Sequence, residues 1–380
     1  MVIGIIAHIA IKMEVEDHCQ LSTVHCQLTW DGTARLPAEP DGTPHKGLAG
    51  AIAGTIGNTM FIAGGANFPH GMPWEGGAKD YASDAFLYQI GEKGTLEFLR
   101  QGKLQEPLAY SGNCSAGGRV YVAGGENSRG ATSSVRGFSL ARDSIIAEAL
   151  PDLPVPLTNG ALAYASGKLY FVGGENARAV SDRIYALDLA KADAGWEDLC
   201  TLPYPVSHAV AVSDQKGTIY IAGGRARNPD GISTIYGQLL AVDLRAKTVA
   251  PIADLPRPSA AGTGVLAPEG NILLFGGDHG RTFHQVETLI AQINRATDPS
   301  EKNALTAEKT RIQCEHPGFS AECWAFSPAK KQWKRLGDLP APSPVTTTAL
   351  LHGNAVIIPS GEIRPGQRTD RILIGKMNAE

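Results

Sequence analysis

A short β-rich run closed by two glycines recurs along this chain. It appears at Phe61-Ile62-Ala63-Gly64-Gly65, Tyr121-Val122-Ala123-Gly124-Gly125, Phe171-Val172-Gly173-Gly174, Tyr220-Ile221-Ala222-Gly223-Gly224 and Leu274-Phe275-Gly276-Gly277, with a degenerate sixth copy at Ser360-Gly361. Successive copies step by about 50 residues, except the last step, which is longer by about 34. Self-similarity of this kind means arrayed units, each unable to bury its apolar face alone. A second ruler runs in phase, because Leu-Pro pairs stand at Leu36-Pro37, Leu153-Pro154, Leu202-Pro203, Leu255-Pro256 and Leu339-Pro340. Proline donates nothing to a ladder, so these pairs mark the connection that leaves one unit and enters the next. Glycine at 44 of 380 positions and 19% charged residues suit many tight turns between short strands and disfavour a helical bundle or coiled coil.

Each unit reads as four strands, as in Gly160 to Ala165, Lys168 to Val172, Arg183 to Leu187 and an outer strand near Trp196. A glycine doublet at this step is the kelch signature, and four strands repeated six times predict an all-β, six-bladed kelch-type β-propeller. The sixth unit begins near Val345 and runs out of chain at about Lys376 after three strands. Cys26 to Trp30 can supply the fourth, so the ring is expected to close by joining an N-terminal strand to the C-terminal blade, which also covers an open edge. Residues 1–25 are then a tail, and 26–380 a single propeller. The long step holds an insertion at about 279–317, where Phe283, Val286, Ile290 and Ile293 recur at helical spacing. Asp298-Pro299-Ser300-Glu301 offers a cap, a first-turn proline and a following acid, so a second helix starts there. The pair is read either as a lid over a site or as packing for a blade edge.

With 34 basic and 38 acidic residues, the net charge of −4 gives no footprint for a nucleic-acid backbone. The apolar run Val2 to Ile11 is too short to span a bilayer, so no membrane span is expected. As a secretory signal it lacks a preceding basic residue and a small-x-small cleavage site, which leaves the compartment open. Cys19, Cys26, Cys114, Cys200, Cys314 and Cys323 are scattered without a C-x-x-C pair, so neither a zinc site nor a disulfide scaffold is indicated. His70, His208 and His279 stand at no metal-ligand spacing and read as loop histidines.

Residues just past the doublets occupy equivalent loops, so Ala66, Glu126, Glu175, Arg225, Asp278 and Glu362 are expected to ring one end of the central channel. A ring of mixed charge favours a small polar ligand. The last copy continues as Gly361-Glu362-Ile363-Arg364-Pro365-Gly366-Gln367-Arg368-Thr369-Asp370, where a Pro-Gly turn brings Glu362 and Arg368 together, on a ligand or as a surface ion pair. The first copy continues as Gly64-Gly65-Ala66-Asn67-Phe68-Pro69 into a long glycine-rich loop through Lys79-Asp80-Tyr81, a length typical of binding loops.

These segments carry a resemblance. Gly361 to Asp370 resembles the G-E-x-K/R-P-G-x-R-T-D motif of the sialic acid mutarotase (N-acetylneuraminate epimerase) family of bacterial kelch propellers, and Gly64 to Pro69 resembles its G-G-A-N-F-P loop. The stretch between Gly277 and Trp324 takes the place of its helical insertion. In the unpermuted family the first motif sits mid-chain, just before the second, whereas here it ends the chain, so the resemblance is to a cyclically permuted branch. The family interconverts the α and β anomers of N-acetylneuraminate. The resemblance implies a proton-accepting Glu362 and a site arginine, Arg368; Arg225 or Arg364 as its helper, and Asn67, Glu126 and Glu175 from the loops past the doublets, are expected as ligand contacts from their positions in this sequence. It also implies a sugar-acid substrate and no metal or organic cofactor. It favours the periplasm, with the cytoplasm still open, and allows a homodimer. The rival reading is a non-catalytic kelch module that binds protein or glycan; a copper oxidase would need a Tyr, His and Cys constellation that is not visible.

Overall fold

In a computed structural model, which describes residues 27–142, 144–340 and 342–378, the chain forms a β-propeller of six blades. Each blade is a four-stranded antiparallel sheet in which the chain steps outward from the axis. Blade 1 consists of Ile52–Ile56, Thr59–Ala63, Asp84–Ile90 and Leu96–Lys103. Blade 3 consists of Ala161–Ala165, Lys168–Val172, Arg183–Asp188 and Glu197–Thr201, within a residue or two of the strands expected from the repeat. Blade 6 takes Leu350–His352, Ala355–Pro359 and Arg371–Asn378 from the C-terminal end and Gln27–Arg35 from the N-terminal end.

That closing strand runs antiparallel to Arg371–Asn378 from Gln27↔Asn378 to Arg35↔Arg371, with one register shift between Trp30 and Gly32. Arg35 holds Asp370 through two hydrogen bonds of 2.7 and 2.9 Å, and Trp30 meets Phe275 of blade 5 edge to face at 5.8 Å. The strand is longer than the sequence pattern implied. Cys26 and the expected tail of residues 1–25 lie outside the described residues.

The core lies between blades. The second strand of each blade is buried on both faces, as in Val120–Ala123 and Ala355–Pro359, and its side chains pack on the neighbouring sheet. Leu36, Leu153, Leu202, Leu255 and Leu339 of the Leu-Pro markers are all buried in the connections between blades. Leu104 fills the equivalent place between blades 1 and 2 without a following proline.

The doublet has a steric cause. Gly64 and Gly65 both have positive φ (65° and 94°), and a Cβ on Gly64 would stand 2.1 Å from the Leu108 carbonyl oxygen of the next lead-in. That carbonyl accepts the Gly65 N–H at 2.8 Å, so the close approach is part of the joint between blades. In the degenerate copy the serine hydroxyl takes over: Ser360 Oγ accepts the Leu48 N–H at 2.8 Å and lies 2.6 Å from the Thr369 carbonyl.

The insertion forms α1, Arg281–Arg295, and α2, Pro299–Cys314, between the second and third strands of blade 5. Asp298 caps α2, its carboxylate accepting the Glu301 N–H at 3.0 Å. Among the described residues no helix is long and apolar enough to cross a membrane.

Candidate active site at the channel mouth

Two nested backbone rings build the mouth of the channel. Just before each inner strand, one residue adopts the left-handed conformation: Gly50, Tyr110, Asn159, His208, Ala261 and Thr346, with φ between 50° and 63°. Their peptides form a closed belt, Tyr110 N–H to Gly50, Asn159 to Tyr110, His208 to Asn159, Ala261 to His208, Thr346 to Ala261 and Gly50 to Thr346, at 2.7 to 2.9 Å. For a β-branched residue such as Thr346 this conformation is strained, so the belt holds it in place. The residue before each belt member pairs with the residue after that blade's doublet, giving Ala49↔Ala66, Ala109↔Glu126, Thr158↔Glu175, Ser207↔Arg225, Ala260↔Asp278 and Val345↔Glu362. Clamped on both sides, the six post-doublet residues have fixed backbones around the mouth.

A cavity of about 290 Å³ opens there between the propeller and the helical insertion. Glu362, Arg225, Asp278 and His208 line it from the propeller, and Phe283, Val286, Gln313, His316 and Phe319 from the insertion. Glu362 sits on a small hairpin, Glu362–Arg364 paired with Gln367–Arg368, and its Oε1 accepts the Gly366 N–H at 2.8 Å. Arg368 Nη1 lies 3.8 Å from the same oxygen. Burial pushes the Glu362 pKa up from the usual carboxylate value, and Arg368, the Gly366 N–H and Lys79 oppose it without cancelling it.

Arg368 packs behind Glu362. Its side chain is 2% exposed, and its guanidinium lies over the Phe68 ring at 4.7 Å. Nε and Nη1 are buried without a hydrogen-bond partner among the described residues. Next to it, Tyr110 is buried, with its hydroxyl pKa raised. The Lys79 ammonium sits 4.8 Å from the Tyr110 ring and 2.8 Å from Glu126 Oε1. Burial works against the Lys79 charge, but Tyr110, Glu126 and Tyr81 outweigh it and raise its pKa. Tyr81 donates to the same Glu126 oxygen at 2.8 Å, and burial with that bond pushes its own pKa up to about 12.

Two blades from Glu362, Arg225 Nη2 donates to Glu175 Oε1 at 3.1 Å, and its guanidinium lies 5.3 Å from the Phe283 ring. Glu175 is also bound by Arg227 at 3.1 Å and stands 3.6 Å from His208 Nδ1. Burial, with Arg225, Arg227 and Lys79 nearby, drops the His208 pKa well below its ordinary value, so the imidazole is neutral.

Of the residues singled out in the sequence, Glu362 and Arg225 face the cavity together, with Arg368 against Glu362 and Glu175 behind Arg225. Glu126 lies to the side in the Lys79 and Tyr81 cluster. The Asn67 amide is taken up by backbone, donating to the Gly47 carbonyl at 2.6 Å and accepting the Phe68 N–H at 2.7 Å, beside a separate surface cleft. Arg364 is exposed on the hairpin. His208, Tyr110 and Lys79 were not singled out as site residues. His208, read as a loop histidine, is nearly buried, with its side chain 14% exposed. A usable signal existed: belt residues precede each doublet at a nearly constant offset, so the repeat register groups His208 with Tyr110, Asn159 and Thr346.

The family model described as N-acetylneuraminate epimerase matches residues 150–380. An N-acetylneuraminate epimerase of Salmonella enteritidis PT4 is 30% identical over 133 residues, covering 32% of this chain and 33% of the relative. That of Salmonella arizonae is 31% identical over 136 residues, covering 32% and 33%. That of Vibrio vulnificus strain YJ016 is 38% identical over 102 residues, 26% of each chain. These alignments span a third or less of each relative's length. By the family match over residues 150–380, the chain belongs to the N-acetylneuraminate epimerase family.

Proposed function

We propose that this protein interconverts the α and β anomers of N-acetylneuraminate by acid/base opening of the ring hemiketal. The observation that carries the reading is Glu362, a carboxyl group facing the cavity with its pKa raised by burial and a buried guanidinium beside it. A carboxyl tuned upward is a stronger base than a free glutamate, and so is better placed to take a proton and return it. In the proposed step, Glu362 takes the proton of the anomeric hydroxyl while the bond from the anomeric carbon to the ring oxygen breaks. The anomeric carbon becomes a ketone, and Glu362 hands the same proton on to the ring oxygen, which becomes a hydroxyl and leaves Glu362 a carboxylate again. Attack of that hydroxyl on the other ketone face reverses each transfer, so no atom, electron or proton is gained or lost.

The substrate also carries a carboxylate on the anomeric carbon, which a guanidinium binds in a forked pair. Arg225 lines the same cavity two blades away from Glu362 and takes this role. Arg368 keeps positive charge beside Glu362 through the proton cycle, and its unpartnered Nε and Nη1 can take a ligand oxygen there. Glu175 and Ser233 position Arg225, with Ser233 Oγ held by Glu287 of α1 at 2.6 Å. The permuted order fits this arrangement, because the hairpin of Glu362 and the loop of Phe68 meet through Arg368 although they come from opposite ends of the chain.

The test is one-dimensional proton NMR of freshly dissolved, anomerically enriched N-acetylneuraminate. Catalysed equilibration with the wild-type protein and loss of it with Glu362→Gln is the expected result. Equilibration at the buffer rate with wild type would overturn the proposal.

A further inference from the structure

The cavity has two unlike halves. Its propeller wall carries the charges of Glu362, Asp278 and Arg225, while the insertion wall is apolar around Phe283, Val286 and Phe319 and presents three polar side chains, Thr282, Gln313 and His316. His316 Nδ1 accepts the Gly318 N–H at 3.0 Å, and the ring packs on Phe319 with centroids 5.0 Å apart. A ring nitrogen that accepts a hydrogen bond carries no proton, so in the neutral ring Nε2 is the N–H donor. Burial favours that neutral form by lowering the His316 pKa. Gln313 Oε1 is buried with no hydrogen-bond partner among the described residues. Such an acceptor, cut off from water, costs free energy until a donor reaches it.

The His316 N–H, the orphaned Gln313 oxygen and an aromatic wall are together the complement of a secondary amide with a small apolar cap. The amide N–H reaches Gln313 Oε1, the carbonyl accepts from His316 Nε2, and a methyl group rests on Phe283 and Phe319. Ionic groups fit poorly, because no charged side chain of the insertion lines this wall and each would lose its hydration against the rings. The geometry points to the insertion wall as the subsite for the N-acyl substituent of the sugar acid, with Gln313 as its specificity-determining residue. This assignment rests on the mutarotase reading above, since it assumes that the ligand's anomeric centre lies at Glu362.

The experiment compares anomer equilibration of N-acetylneuraminate with that of its analogue bearing a hydroxyl in place of the acetamido group, for wild type, Gln313→Met and Phe283→Leu. Wild type is expected to favour the N-acyl substrate in kcat/KM by about 10- to 100-fold. Gln313→Met should bring that ratio within about 3-fold, chiefly through a higher KM for the N-acyl substrate. Phe283→Leu should lower it by a smaller factor. Equal acceleration of both sugars by wild type overturns the subsite while leaving the mutarotase reading intact, and so does a parallel loss for both sugars in Gln313→Met. If wild type accelerates neither, the mutarotase reading falls, and saturation-transfer NMR with the same two sugars decides the subsite. Strong transfer to the acetyl methyl that Gln313→Met abolishes sustains it; no binding of either sugar overturns it.

Discussion

At Glu362 and His208 burial acts on two titratable groups with opposite chemical results. It raises the Glu362 pKa, which favours proton transfer, and depresses that of His208, which keeps an uncharged ring between Glu175 and the cavity. For Glu362, kcat/KM of the proposed reaction should fall as pH drops, with an inflection above the ~4.3 of a free glutamate. Glu362→Gln should lower the rate by about 10² to 10⁴ on the plateau above the inflection, by less below it, and abolish the inflection; a variant that keeps it would place the base elsewhere. For His208 the linkage runs through stability. Its folded pKa lies below its unfolded one, so its contribution is complete above about 6.5 and is lost as pH falls below that, by up to about 1.4 kcal/mol per pH unit. His45 and His316, also lowered by burial, add in the same direction, whereas Glu362, with its raised pKa, opposes them. The difference between wild type and His208→Asn isolates the one group, because asparagine tolerates the left-handed backbone, as Asn159 does at the equivalent place. Urea midpoints should show a smaller acid-side loss for His208→Asn, and equal slopes would show that His208 does not titrate between the two states.

At the scale of elements, the strands were legible because local chemistry dictates them. The Gly64-Gly65 positions need positive φ and room for a neighbouring carbonyl, and Lys168–Val172 carries the continuous apolar run that a strand buried on both faces needs, so both appear in composition and spacing. The helices were legible for similar reasons, with a capping Asp298 and an apolar stripe through Phe283 and Val286. What escaped was the role of residues whose surroundings come from other blades. His208 follows Ser207 in a lead-in that looks like any polar loop, and only the packing of blade 3 against blade 4 sets it beside Glu175, with Arg225 coming from its own blade. Asn67 looked available for a ligand, but Gly47, twenty positions upstream, takes its amide. The insertion shows the same division between scaffold and site. Neither α1 nor α2 contains a fully buried residue, while blade 5 pairs Phe275 with Cys323 directly across the gap the helices span. Replacing residues 281–317 with a short Gly-Ser turn should therefore leave cooperative unfolding with a Tm within about 5 °C of wild type. It should remove one wall of the cavity and lower kcat/KM by at least about 10-fold. Loss of cooperative unfolding would mean that the helices hold blade 5 together.

For the whole molecule, the decisive joint is the blade made from both ends of the chain. Each of the other blades is one continuous stretch, so its strands can pair as they are made, whereas Gln27–Arg35 must find Arg371–Asn378 after nearly the entire ring exists. The joint is reinforced accordingly: Arg35 grips Asp370, Lys376 holds Asp31 at 2.9 Å, and Trp30 reaches across to Phe275 in blade 5. It also bears on the candidate site, because Asp370 closes the segment that carries Glu362 and Arg368, and the Leu36 N–H donates to the Asp370 carbonyl at 2.8 Å. Deleting residues 27–35 should lower stability by at least about 3 kcal/mol, the scale of losing one large aromatic from a packed interface. It should also expose Arg371–Asn378 as an open edge that promotes self-association. A synthetic peptide of residues 27–35 added in trans should restore the urea midpoint in a concentration-dependent manner and suppress the association. Unchanged stability after the deletion would mean that the inner-strand ring and the belt of Gly50, Tyr110, Asn159, His208, Ala261 and Thr346 hold the propeller closed by themselves. The expected loss would instead locate closure at the outer strand, where the two ends of the chain meet.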